Sequence, residues 1–334
     1  MVKRLTLLVM SVILVLGLAV QAMAQIKGRV YADYYFVGSH HDESIDGQHG
    51  FWFRRLYLTY DHKFTDSWKA RVRFEAASKS FEKADIVPFV KDLYIQYSKE
   101  GHSLLIGISG PPTYAEIEEM WGYRAVEKTP LDLYKMRSSR DTGFALKGDI
   151  ADKKVHYHFM LANGEGKSSE YNKDKAIYAA IGFRPTKDFY FEFYGDYAAA
   201  PAGKHDSYTM QGFLGYQAET FTFGTHYSYQ NYSLDLNGSK DEYEVSLVSG
   251  FAHFKMNDRA KFLVRLDRMI DPLPFGSAVS YSPFANTSPF YWVLAGIDIQ
   301  VIKGFNFIPN ITYVSYDDLD ANDFYAKFTF YWKW

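Results

Sequence analysis

Residues Asn322 to Trp334 read NDFYAKFTFYWKW, and seven of the last eleven of these side chains are aromatic. They are sorted by parity. Phe324, Ala326, Phe328, Phe330, Trp332 and Trp334 fall on even positions; Asp323, Tyr325, Lys327, Thr329, Tyr331 and Lys333 fall on odd ones. Successive side chains of an extended chain point to opposite faces. One face of this strand is therefore wholly apolar, and the other carries lysine, threonine and tyrosine hydroxyls. A soluble sheet would cover the apolar face with a second layer. In a bilayer, hydrocarbon does the covering.

The pattern recurs along the chain. Period-two alternation marks about sixteen segments, near 26–36, 50–62, 67–78, 89–98, 102–109, 140–150, 154–162, 175–184, 188–198, 206–217, 219–230, 240–252, 259–268, 290–300, 304–315 and 322–333, with almost no helical period. Strands of this length, when tilted, cross a bilayer. The gaps alternate as well. Short ones such as KFTDSW, SKEG, ADKK, RPTK, QAET and IKG follow even-numbered strands; longer ones, at 37–49, 79–88, 110–139, 163–174, 199–205, 231–239, 269–289 and 316–321, follow odd-numbered strands. A transmembrane antiparallel β-barrel has this asymmetry, with short periplasmic turns at one rim and longer external loops at the other. Both termini then lie on the short-turn side.

Composition agrees. Aromatics make up 18% of the 334 residues, yet mean hydropathy is slightly negative, as expected when lumen-facing residues dilute lipid-facing ones. Lys3 and Arg4 precede an apolar run from Leu5 to Val20, and Ala22-Met23-Ala24 matches a signal-peptidase site. Residues 1–24 are read as a cleaved signal peptide and 25–334 as the barrel. Setting Lys3 and Arg4 aside leaves 39 acidic residues against two fewer than the 37 basic ones, too balanced for a nucleic-acid partner. The lack of cysteine excludes disulfides and thiolate metal sites.

Individual strands separate charge from oil. Trp68, Ala70, Val72, Phe74 and Ala76 oppose Lys69, Arg71, Arg73 and Glu75; Phe262, Val264 and Leu266 oppose Lys261, Leu263, Arg265 and Asp267; Tyr243, Val245 and Leu247 oppose Glu242, Glu244 and Ser246. An Arg facing lipid near the midplane costs about 2–4 kcal/mol, so the charged faces are assigned to the lumen. Trp68, Tyr97, Tyr190, Tyr216, Tyr229 and Trp292 stand near strand ends as candidates for interfacial girdles or for cross-strand packing. Arg55, Lys69, Arg71 and Arg73 form a candidate basic track, with Arg265 as a further lumen residue. Glu75, Asp92, Asp141, Asp149, Glu192, Glu242 and Glu244 are also assigned inward, giving a lumen of both signs.

The terminal aromatic with hydrophobics at every second residue before it (Phe328, Phe330, Trp332, Trp334) resembles the C-terminal signal of bacterial outer-membrane proteins. That implies recognition by the barrel-assembly machinery and closure against the first strand. The stretches FWFRRLYLTYDHKFTDSWKARVRFE, DLYIQY and SSRDTGFALKG resemble the phosphate-selective porin O and P family, mainly across residues 26–150. The resemblance implies a homotrimer of water-filled barrels in an outer membrane, passing small hydrophilic solutes and preferring anions such as phosphate. It also implies that the third external loop, 110–139, folds inward and narrows the pore, bringing Glu116, Glu118, Glu119, Arg124 and Lys128 to the constriction. Packing over the external mouth or against a neighbouring subunit is the alternative.

Catalytic signatures are missing: there is neither a G-x-S-x-G elbow nor an H-E-x-x-H pair. The reading is a non-enzyme without cofactor or metal; a surface hydrolase and a structural or adhesive barrel remain alternatives. His40-His41 with Asp42 and Glu43, and His156 with His158, are the nearest approaches to metal-ligand spacing. The first group is assigned as solvated loop histidines; the second has no third ligand in view and is assigned as lumen-lining or interface histidines.

Overall fold

A computed structural model describes residues 24–78, 81, 83–200, 206–236, 239–273 and 281–334; the expected signal peptide, but for Ala24, lies outside them. Sixteen strands account for most of them. They are β1 (Ala24–Ser39), β2 (His49–Lys63), β3 (Trp68–Ala77), β4 (Val87–Lys99), β5 (His102–Ser109) and β6 (Asp141–Ile150). Next come β7 (Val155–Ala162), β8 (Ala176–Phe183), β9 (Phe189–Ala198), β10 (Ser207–Gln217) and β11 (Phe221–Leu236). The last are β12 (Ser239–Lys255), β13 (Ala260–Asp271), β14 (Phe290–Ile302), β15 (Phe305–Tyr316) and β16 (Asn322–Lys333). Each pairs antiparallel with its sequence neighbours, and β1 closes on β16. All sixteen expected segments appear. The loop expected over 231–239 is mostly strand, since β11 and β12 keep pairing from Asn231↔Glu244 out to Leu236↔Ser239.

Closure leaves no unpaired edge. The seam runs from Arg29↔Lys333 to Ser39↔Phe324, and Gly28 and Trp334 exchange backbone hydrogen bonds of 3.1 and 3.2 Å. Gly28 is required there, because a Cβ would enter the Trp334 indole. Outside the barrel the apolar faces are bare: Phe193 is 76% exposed and Met210 60%. The inward members of β16, Asp323, Tyr325, Lys327 and Thr329, are buried.

Two bulges break the alternation where it matters. Tyr31 pairs with Arg55 and Ala32 with Phe53, leaving Arg54 as the extra residue of β2. Outward positions are Phe51 and Phe53 above it and Leu56, Leu58 and Tyr60 below, while Arg54 and Arg55 both turn inward and are buried. In β4, Arg73 pairs with Asp92 and Phe74 with Val90, so Lys91 is extra and points inward beside Asp92. Strict alternation would have put Arg54 and Lys91 in lipid, at about 2–4 kcal/mol each near the midplane. A bulge removes that cost by inserting one residue.

The facing of β12 is the reverse of the sequence expectation. Val245 and Leu247 are buried inside, Glu242 and Glu244 are exposed outside, and the Tyr229 hydroxyl bonds Glu244 at 2.7 Å. Val245 pairs with the buried Gln230, so the register of β11 decides the side. Tyr190 and Trp292, considered for a girdle, are inward and buried. They join an interior apolar cluster on the inner faces of β5–β15, together with Leu263, Leu294 and Ile308. Half of the lumen is therefore a packed core.

Candidate functional site

The long connection after β5 fills that half. Pro111 and Pro112 end the strand, since proline donates nothing to a ladder. Helix α1 (Ala115–Trp121) follows and stops at Gly122, whose left-handed φ of 68° lets its N–H reach the Glu118 carbonyl at 3.0 Å. Pro130 opens α2 (Pro130–Leu133), a position where its missing N–H costs nothing. Ile117, Trp121, Val126, Leu131, Leu133 and Met136 are buried against the inner wall. The Trp121 ring meets Phe251 at 5.4 Å, and that of Tyr134 meets Phe290 at 5.5 Å. This loop folds into the barrel.

Polar tethers hold it to nearly every side of the wall. Arg54 donates to the Ala125 and Val126 carbonyls while pairing with Asp33 at 2.7 Å. Arg265 donates to the Lys128 carbonyl and chelates Asp267, which also accepts from the Tyr134 hydroxyl at 2.6 Å. Gln230 holds the Met136 carbonyl at 2.5 Å, and Arg137 clasps Asp196 and Ser207. From the β13–β14 connection, Tyr281 lies under four cations: Arg54, Arg55, Arg124 and Lys128, at 4.1, 5.1, 5.9 and 5.2 Å from its ring.

What remains open runs along β1–β7. Toward the short turns, a cavity of about 460 Å³ is lined by Arg71, Arg73, Glu116, Arg140 and Lys147 among others. A narrower one of about 230 Å³ shares Arg71, Arg73, Glu118 and Arg140 with it and adds Lys27, Arg29, Lys91 and Arg124. Toward the long loops a third, about 430 Å³, shares Lys91 and Arg124 and adds Arg55, Lys128, Lys135, Arg137 and Lys167. Together the three are lined by thirteen Lys and Arg against six Asp and Glu.

The imbalance has a local form, in which each carboxylate serves two cations. Glu75 bridges Arg55 (3.2 Å) and Lys91 (3.1 Å), Asp92 bridges Arg73 (3.0 Å) and Arg140, Asp132 bridges Arg124 (2.8 Å) and Lys128 (3.4 Å), and Asp61 bridges Arg71 (2.6 Å) and Lys27 (3.6 Å). Counted alone, each triad carries one more cation than carboxylate, and in the Asp132 triad Arg124 also meets Glu118 at 2.9 Å. Burial alone would raise the Asp132 carboxyl, but Arg124 and Lys128 hold it well below the ordinary carboxylate range. Burial pushes the Lys128 ammonium well below its usual value, with Asp132 opposing.

The expected residues thus separate. Arg55, Arg71, Arg73, Glu116, Glu118, Arg124 and Lys128 line the path, and Lys69 stands at its short-turn mouth. Glu119 is exposed and lines none of the described cavities. Arg265 faces inward but is sealed beneath the loop. Arg54, Lys91, Arg140 and Tyr281 escaped the sequence reading: two ride on bulges, and two depend on where a loop returns.

A closed sixteen-strand barrel whose third long loop is packed inside is the porin fold. No protein-family profile matches the sequence, and no curated protein matches it at a significant level. Solved structures do match. An anion-selective porin from Comamonas acidovorans is similar with a TM-score of 0.68 at 10% identity, over 93% of this chain and 99% of that one. OmpF of Salmonella typhi in complex with daunomycin and the outer-membrane channel DcaP of Acinetobacter baumannii each give 0.67 at 10% identity, over 93% of this chain and 97% of theirs. At this identity the likeness establishes the fold.

Proposed function

We propose that the chain is an outer-membrane porin passing small hydrophilic solutes with a preference for anions, phosphate among them. The observation that carries this is the two-for-one sharing of carboxylates along the path. Rows of Arg and Lys favour anions through charge and hydrogen-bond donors, and surplus positive charge at low dielectric is screened less than at a surface. The porin fold and its neighbours, an anion-selective porin and an outer-membrane channel among them, support the same reading. Residues 1–24 act in it as the export signal, the β16 aromatics as the signal to the barrel-assembly machinery, and a homotrimer as the working unit in outer-membrane lipid. The test is a planar-bilayer recording of the refolded barrel in a salt gradient, with phosphate added. An anion-sign reversal potential and phosphate-dependent block of chloride current are expected; a cation-sign potential overturns the proposal.

A further inference from the structure

At the long-loop end of the seam, a bulge at Gly38 swings the chain across the end of β16, where a Cβ on Gly38 would press within 2.6 Å of the Phe324 ring. His40 and His41 arrive there beside Asp323, far away in sequence and fully buried. Among the described residues this is the one group of three His, Asp or Glu with ligand atoms converging within 4.8 Å. Nε2 of His40 lies 3.5 Å from Oδ2 of Asp323, and Nδ1 of His41 lies 3.0 Å from the same oxygen. The Pro283 carbonyl lies 3.2 Å from His40 Nε2. Neighbouring ligands on a tetrahedral zinc with bonds of about 2.0–2.1 Å stand roughly 3.3 Å apart.

We infer that His40, His41 and Asp323 form a divalent transition-metal site of the zinc class, with the Pro283 carbonyl or a water as fourth ligand. Two imidazoles and one carboxylate suit zinc better than calcium or magnesium, which want oxygen. The outer partners are in place. Asp323 accepts from the Tyr316 hydroxyl and, at 2.7 Å, from the His41 amide, the kind of support that fixes a ligating carboxylate. His40 Nδ1 accepts from the Asp42 amide at 2.9 Å, and its Nε2 proton points to Pro283. Moving the ring proton to Nδ1 exchanges the bond from the Asp42 amide for one to the Asp42 carbonyl at 3.1 Å and frees Nε2 for a cation. A cavity lined by His40, His41, Asp42 and Phe284 opens on the site. The ion would staple the first external loop and the β13–β14 connection to the closing strand.

The refolded barrel in detergent is titrated with Zn²⁺ by calorimetry, beside His41→Gln and Asp323→Asn, each checked for a folded gel mobility. One ion per chain, with affinity falling at least about tenfold in both variants, is expected. Equal binding by all three proteins overturns the site. Co²⁺ added to the unmutated barrel gives a second reading that needs no variant: intense visible bands of a tetrahedral centre support the site, and a weak octahedral spectrum overturns it.

Discussion

Arg124 stands between Glu118 at 2.9 Å and Asp132 at 2.8 Å, at the junction of the middle and outer cavities. With Lys128 it offsets those two carboxylates. Arg124→Ala would set two carboxylates against Lys128, so the reversal potential should move toward the cation side while single-channel conductance rises. A variant with unchanged selectivity would show that ions pass elsewhere. Lys128 gives a pH signature. Its ammonium is pushed down by burial, so raising pH discharges it before exposed lysines near 10.4. Anion preference should therefore decline as pH is raised toward the ordinary lysine range of about 10.4 in the unmutated barrel, and less so in Lys128→Arg, whose guanidinium keeps its proton. Reversal potentials across that range measure it.

At the scale of elements, the inward loop behaves as a small hydrophobic core inside a barrel. Trp121 is its keystone: fully buried, edge-to-face with Phe251 and donating to the Glu127 carbonyl at 2.9 Å. Truncating a buried tryptophan to alanine costs about 3–5 kcal/mol. The β-ladder is untouched, so Trp121→Ala should leave the barrel folded and free the loop. Larger, noisier channel openings are expected, with protease cleavage between residues 110 and 139; steady openings of unchanged size would show that the polar tethers alone hold it. The two bulges belong to this scale too. They deliver Arg54 to the loop's carbonyls and Lys91 to Glu75, so one inserted residue per strand sets both loop position and path charge.

For the whole molecule, stability is closure. Hydrocarbon cannot hydrogen-bond a free strand edge, so the β1–β16 seam is the step on which the barrel depends. Gly28→Val would drive a side chain into the Trp334 indole and push the last residue off the seam. The fraction of chain reaching the compact, heat-modifiable gel form should drop several-fold, with recovery in Gly28→Val/Trp334→Ser. Measured by refolding the purified chain in detergent, where no assembly machinery reads Trp334, and beside Trp334→Ser alone, failure of the double variant to recover would place the fault in the valine itself.

The sequence by itself determined the number of strands, the parity of the loops and the inward face of most strands, β3 and β16 among them. A period-two signal is local and is enforced by the cost of charge in lipid. Arg55, Arg71 and Arg73 were legible for the same reason. Only the tertiary structure decided the rest. A bulge leaves no mark in a run such as FRRLYL, because which residue is extra depends on the register of the partner strand; β12 was read on the wrong side for want of the register of β11. Where the inward loop rests, which carboxylates two cations share, and that Asp323 meets His40 and His41 are contacts between segments far apart in sequence. They exist because the ring closes and brings its first and last strands together.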